Sequence, residues 1–482
     1  MSRGRHETRL IRLGASALLF TLAGCRGTVP ADPVDPIGAT VDRYLTARTE
    51  LGRWNGAVLV AKDGRVILRK GYGFADVARR EPFRPETQQE VASVSKMFTA
   101  LAALKLRDQT KLGLDDPVCR YIDGCPDTWQ PVTLRHLIHH ESGIPDYEER
   151  LELGSEKYFD LLAQPGAAAT ILADAKTRPL EFAPGAKFHY SNTGYVVLAH
   201  ALERASGKGF AELVTELILK PAGMRDSGAM GASTRPLRLA TGYTAGDLGW
   251  AKLLHGVSLT DSSLTPVRPL ALTGAQGDAW LYSTVDDLLT FSRLMEGSEL
   301  IPPALVKEIE TPGLEGYGAG WFIGDAFKRR RMRHNGIVPG YVTDFIRFPD
   351  EKTTIVLISN YDRVRLDRIA RDVSAIVCGT PFDMPVRGEV IELTPEQIAP
   401  LVGDYVMTDG TPFNVRKEPD YLIAELKGRY TAGLIPLSPT EMYFPMGDGK
   451  AIFTMGADGR AEKVNMRYGG EDHVAGRAKP KS

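Results

Sequence analysis

The chain has 482 residues, 43% of them hydrophobic and 25% charged, with a formal charge of −1. This is the composition of a globular protein with ample apolar material for a large core. The near-neutral balance argues against nucleic acid as a partner, and no self-similar period marks a repeat protein.

Arg3, Arg5, Arg9 and Arg12 form a basic start, followed by an uncharged apolar stretch over 13–24. That stretch is too short to span a bilayer and has the make-up of a secretory segment. Leu22-Ala-Gly-Cys25 closes it and resembles a bacterial lipoprotein cleavage box, which makes Cys25 the lipidated first residue of the mature chain; a plain signal peptide with an incidental cysteine is the alternative. Residues 1–24 are thus read as a lipoprotein signal peptide and 25–36, rich in proline, as a structureless tether. The expected location is the cell envelope, facing the periplasm; because Arg26 is not the aspartate of inner-membrane retention, the outer membrane is favoured in a Gram-negative host.

A helix with apolar spacing at Val41, Tyr44 and Leu45 leads into two β-rich runs joined at Asp63-Gly64, a strong hairpin signal. Next comes Ser93-Val-Ser-Lys96, which sets a hydroxyl and an amine one helical turn apart, ahead of the apolar run Met97–Leu104. A lysine in such a setting is expected to have its charged form disfavoured and its pKa lowered, and so to serve as a base. Donors at the helix start would favour a developing oxyanion. Cys119 and Cys125 flank a short loop and are expected to form a disulfide after export, with two buried thiols as the alternative. Cys378 reads as a core residue.

Thr133–Gly143 reads as a capped helix. His136 and His140 are four apart on it, but no third ligand follows at metal-site spacing, so they read as packed or exposed helix histidines. Tyr190 and Asn192 precede a long apolar helix that Asn192 or Thr193 could cap. Ser283-x-x-Asp286 reads as a capping box. Three strands follow, around Tyr317–Ile323, His334–Gly340 and Thr343–Asn360. Hairpin, helices and strand meander predict an α+β fold with both ends of the domain, 37–385, in one antiparallel sheet flanked by helices. From about Leu393 the texture turns to short strands, and 393–478 is expected to be a small all-β, barrel-like domain.

In order, the chain offers Ser93-x-x-Lys96, Tyr190-x-Asn192 and His334-x-Gly336, with Phe182-Ala-Pro-Gly, Leu281-Tyr-Ser-Thr and Pro339-Gly between and after them. It resembles the β-lactamase-related serine hydrolases, a family of class C β-lactamases, DD-carboxypeptidases, D-amino-acid peptidases and esterases; the last ninety residues resemble the lipocalin-like barrel of some members. The resemblance implies that Ser93 forms an acyl-enzyme, that Lys96 and Tyr190 share the base role, and that Asn192 holds the lysine and the substrate amide. It also implies an oxyanion hole at the backbone N–H groups of Ser93 and Ile337, beside Gly336, and no cofactor or metal. A phenolate at Tyr190 is reachable if Lys96 lowers a phenol pKa that starts near ~10.

The third motif departs from the lysine usual in β-lactamases and DD-carboxypeptidases. An imidazole at His334, near its ordinary pKa of ~6.5, is partly charged at neutral pH and weakens carboxylate recognition. The expected function is an exported hydrolase of small-molecule or peptide amides or esters, D-amino-acid substrates favoured. A β-lactamase or DD-carboxypeptidase is the alternative among enzymes, and a catalytically silent, membrane-tethered binding protein is the alternative of another class.

Overall fold

The computed structural model describes residues 35–151, 153–164, 166–229, 236–245, 264–268, 276–386, 388, 391–418, 422–426, 430–444 and 449–478. The expected signal peptide, Cys25 and nearly all of the tether lie outside the described residues.

Strands β1 (Gly56–Lys62) and β2 (Arg65–Tyr72) pair antiparallel across Asp63-Gly64, whose φ angles of 50° and 74° suit a tight hairpin turn. Their partners come from far along the chain: β3 (Phe322–Ala326), β4 (Arg329–Val338), β5 (Tyr341–Phe348) and β6 (Thr353–Ser359). The sheet order is β3-β4-β5-β6-β1-β2, so both ends of the domain meet in one sheet as the sequence predicts. The meander has four strands where three were expected, and His334 falls inside β4.

The registers of β4 differ on its two sides. β5 pairs with it from Met332 to Val338, whereas β3 pairs only with Arg329–Arg333. Beyond Arg333, no described strand pairs with the β3-side edge of β4.

β1 is buried on both faces, which explains its continuous apolar run. Ala57, Leu59 and Ala61 join one core; Val58 and Val60 join the other. On the second side lie α1 (Pro36–Glu50) and α5 (Leu366–Cys378); on the first lie α2 (Ser95–Asp108), α3 (Asn192–Ser206) and α4 (Val285–Leu294). Met97 to Leu104 are all buried in α2, as an apolar run without a polar face requires.

Two caps sit one residue from their expected positions. Ser191 caps α3, accepting from the Gly194 N–H at 3.1 Å, and Thr284 caps α4, accepting from the Asp287 N–H at 3.2 Å. The first shift leaves the Asn192 side chain free for another partner. Cys119 and Cys125 are disulfide-bonded with Cα atoms 5.2 Å apart, while Cys378 is free and half-buried at the end of α5.

The C-terminal region is a closed barrel of eight strands from Gly403–Met407 to Glu471–Arg477, the first pairing with the last. Phe413, Met442, Phe444, Phe453 and Met466 are among the side chains packing its interior. The Arg477 guanidinium covers one end, 4.9 Å from the Tyr405 ring centre and donating to the Pro400 and Val402 carbonyls. The barrel meets the rest of the chain where Arg371 donates to the Gly469 carbonyl (2.7 Å) and Asp383 accepts from Arg467 (3.0 Å) and the Gly470 N–H (2.6 Å).

Candidate active site

Ser93 lies in a 3₁₀ turn, Ala92–Val94, that runs straight into α2. Ala92 adopts φ 49°, a left-handed conformation that costs a residue with a Cβ about 1 kcal/mol and makes the turn sharp. Lys96 follows in the first turn of α2 with 0% exposure. Its Nζ donates to Ser93 Oγ at 3.0 Å, to Asn192 Oδ1 at 2.8 Å and to the Asp278 carbonyl at 3.3 Å. The same Nζ is 5.0 Å from the Tyr190 ring centre, close enough for its charge to act on the phenol. Ser93, Lys96, Tyr190 and Asn192 are therefore brought together.

Ser95 and Thr99, neither singled out from the sequence, fasten a second segment over α2. Ser95 Oγ accepts from the N–H groups of Trp280 (3.2 Å) and Leu281 (3.0 Å), and Thr99 Oγ1 donates to the Gly277 carbonyl at 2.7 Å. These bonds hold Asp278 against Lys96. Its buried carboxyl accepts from the Tyr147 hydroxyl at 3.1 Å. Asp146 accepts from the Asn192 N–H (2.8 Å) and the Glu148 N–H (3.0 Å), and with Asp278 and Glu148 it makes a cluster of three carboxyls on which the Lys96 charge acts.

This cluster corrects the expected proton positions. Burial works to strip the Lys96 proton, but Tyr190, Asp278 and Glu148 oppose it and hold the pKa above the ordinary lysine value. Burial also raises Tyr190, and the nearby ammonium offsets this only in part. The resting pair is an ammonium and a neutral phenol, so neither the lowered lysine pKa expected of an apolar helix nor the lowered phenol pKa expected beside a charged lysine is found. Burial pushes Asp278 up to about 8, with Lys96 opposing and Glu148 and Asp146 reinforcing the rise; burial likewise raises Asp146 and Glu148.

The third motif lies on β4, whose close approach to the nucleophile depends on Gly336. A Cβ there would sit 2.3 Å from the Val91 carbonyl oxygen and 3.1 Å from the Ser93 nitrogen. Ile337 follows with a half-exposed side chain. His334 is buried, its Nδ1 2.6 Å from the Asn335 carbonyl and its Nε2 3.2 Å from the Tyr317 hydroxyl. The first contact fixes Nδ1–H as the donor, leaving Nε2 to accept from Tyr317. Burial, with the Lys96 charge, lowers its pKa to about 3, so His334 is uncharged at neutral pH rather than partly charged.

His140 also departs from expectation. It lies beyond the short helix Leu134–Ile138, at φ 58°, and is buried among aromatic rings, with Tyr190 4.1 Å away between ring centres and Tyr317 4.6 Å away. Its Nδ1 accepts from the Ser191 N–H at 3.0 Å, so it supports the segment carrying Tyr190. His136 turns back to accept from the Thr133 N–H at 3.2 Å, and the two histidines do not converge on a metal position.

A family model described as Beta-lactamase matches residues 41–377. The chain belongs to the β-lactamase family. This β-lactamase-family chain is 29% identical over 448 residues to Penicillin-binding protein 4* of Bacillus subtilis, covering 88% of the chain and 95% of that relative. It is 28% identical over 376 residues to the D-aminopeptidase of Gluconobacter oxydans, covering 76% of the chain and 65% of that relative, just under two thirds of its length. Among solved structures, the octameric penicillin-binding protein homologue from Pyrococcus abyssi superposes with a TM-score of 0.63 at 24% identity, over 91% of this chain and 99% of that one. The D-amino acid amidase from Ochrobactrum anthropi SV3 complexed with D-phenylalanine gives 0.61 at 20% identity, over 72% and 99%. These likenesses show the fold: a β-lactamase/transpeptidase-like domain of helices and sheet, here followed by the closed barrel. The chain is a serine hydrolase of the β-lactamase and penicillin-binding-protein family.

Proposed function

We propose that the chain is an exported, lipid-anchored hydrolase that opens amide or ester bonds through an acyl-enzyme on Ser93, with D-amino-acid-containing substrates favoured. The observation that carries this reading is the bond from Lys96 to Ser93, with the Tyr190 ring 5.0 Å from the same amine. Once the Lys96–Tyr190 pair has released one proton to solvent, it takes the Ser93 hydroxyl proton and Oγ attacks the carbonyl. The N–H groups of Ser93 and Ile337 hold the resulting oxyanion. Collapse breaks the bond to the leaving group, which departs with a proton from Tyr190; the same oxygen then deprotonates the water that frees the acyl group.

Substrate preference follows from charge. Uncharged His334 offers a substrate carboxylate no fixed counter-charge, which favours substrates without a carboxylate beside the third motif. The relatives named D-aminopeptidase and the solved D-amino acid amidases support the preference for D-amino-acid substrates. The long match to Penicillin-binding protein 4* supports a second reading, a β-lactamase or DD-carboxypeptidase. Export and anchoring are supported by the basic start, the short apolar stretch and Cys25.

A fluorophosphonate or penicillin probe should label the wild type and not Ser93→Ala. Turnover of a D-aminoacyl amide, a short-chain p-nitrophenyl ester and a chromogenic cephalosporin should then rank the cephalosporin last. A cephalosporin turned over fastest would favour the second reading, and an unlabelled wild type would leave only a silent binding pocket.

A further inference from the structure

A departing group leaves beside the residue that protonates it, so the surfaces around Tyr190 bear on which groups can leave. Those surfaces are aromatic. Phe322, at the start of β3, stacks nearly parallel to Tyr190, with ring centres 6.4 Å apart and planes 12° from each other. It also lies 5.4 Å from the His334 ring and 4.8 Å, edge to face, from Tyr317, with Phe188 6.4 Å away on its flank. Phe188, Tyr190 and Phe322 are half-buried, while Tyr317 and His334 beneath them are buried.

The wall is firmly placed. Gly320, two residues before Phe322, sits so close under α2 that a Cβ there would lie 2.7 Å from the Met97 Cα. The cations that act on the wall are already engaged: Arg333, whose charge reaches His334, is bonded to Asp344 at 2.8 Å. Lys96, which lies over the Tyr190 ring, already donates to Ser93 and Asn192. His334 holds its single ring proton toward Asn335.

We propose that Phe322, flanked by Phe188, is the leaving-group wall of this active site, and that the enzyme prefers substrates whose departing amine or alcohol bears an aromatic or flat apolar group and no carboxylate. This deepens the proposed function and rests on its reading of Ser93, Lys96 and Tyr190 as an acyl-transfer centre. In the step concerned, the bond from the acyl carbon to the departing nitrogen or oxygen breaks, that atom takes the Tyr190 proton, and the acyl group stays on Ser93. The flat group then rests against the Phe322 ring.

The test compares D-alanine benzylamide with D-alanine methylamide, whose leaving amines are chemically similar, and D-alanyl-L-phenylalaninamide with D-alanyl-L-phenylalanine. In the full-length enzyme, kcat/KM should favour the benzylamide by about tenfold, and the dipeptide amide should outrun the free acid. Phe322→Ala should bring the benzylamide-to-methylamide ratio of kcat/KM to about one; Phe322→Leu should fall between. The rate of Ser93 labelling by a small fluorophosphonate reports whether each variant keeps its site, and Phe322→Leu with Phe188→Leu carries the comparison if the alanine variant does not fold. Equal losses on both amides, no benzyl preference in the wild type, or a preference for the free acid would overturn the proposal. A wild type that labels at Ser93 but cleaves none of these amides would remove the D-aminoacyl reading alone; benzyl and methyl esters, judged by the same ratios, would then decide on the wall.

Discussion

Asp278 sits on the segment fastened to Ser95, its main-chain carbonyl accepting from Lys96 and its carboxyl acting on the same charge, together with Asp146, Tyr147, Glu148 and, across the lysine, Tyr190. Held up to about 8 by burial, it is a neutral acid at lower pH and leaves Lys96 comparatively free to shed a proton; once ionised it tightens that proton. The expected kcat/KM therefore climbs by about tenfold per pH unit below about 8 and flattens above it, whereas Asp278→Asn continues to climb. A pH–rate profile from about 5 to 10 checks this, and it should show no inflection near ~6.5 because His334 titrates at about 3. The stability sign follows from the same carboxyl. Its pKa is raised on folding, so between about 4 and 8 the native state holds a proton the unfolded chain has lost, and stability falls as pH rises through that window. Asp278→Asn should lessen that fall, read as a smaller drop in Tm between pH 5 and pH 8.

Two short segments carry most of the site's geometry, the turn at Ala92–Val94 and the second half of β4. Their spacing depends on the missing side chain at Gly336. Gly336→Ala should push β4 away from the Ser93 nitrogen and lower kcat by about a hundredfold or more, the loss associated with an oxyanion donor, while KM changes less. Steady-state kinetics with an ester substrate measures it. The Cys119–Cys125 link closes a small loop, and reducing it should cost about 2 kcal/mol and lower Tm by a few degrees, with Ser93 labelling retained below the transition. At this scale the sequence was most and least informative. Hydroxyl, amine, phenol and amide were legible because each belongs to a short motif with a fixed order. Asp278 was not, because it reaches Lys96 through Ser95 and Thr99 across more than 180 residues of chain. That omission is why the lysine was expected to be neutral. The caps slipped by one residue for a similar reason: Ser191 and Thr284 were as able to cap as their neighbours, and tertiary contacts decided between them.

Across the whole molecule, the alternation of apolar runs and turn residues made the two-ended sheet and the all-β C-terminal region legible, because both patterns are local. The barrel was expected from those strands and the resemblance to a lipocalin-like barrel, and its first strand does pair with its last; the filling of its interior was not legible, since it depends on side chains facing across it. The proposed lipid anchor makes a prediction at this scale: full-length protein expressed with residues 1–24 should enter the detergent phase on Triton X-114 partition, and Cys25→Ala should move it to the aqueous phase.

The unequal registers on β4 have a bearing on how a substrate lies. Beyond Arg333 the strand shows described partners on its β5 side alone, so an extended substrate laid along the other side would complete the sheet locally as a guest strand. Main-chain bonding of that sort grips any peptide alike, whatever its residues. Discrimination between substrates then falls to the groups flanking the guest, among them the aromatic rings where its far end departs. A compact ester that cannot reach along the strand would forgo that grip and should show it as a higher KM, even where its bond is easier to break.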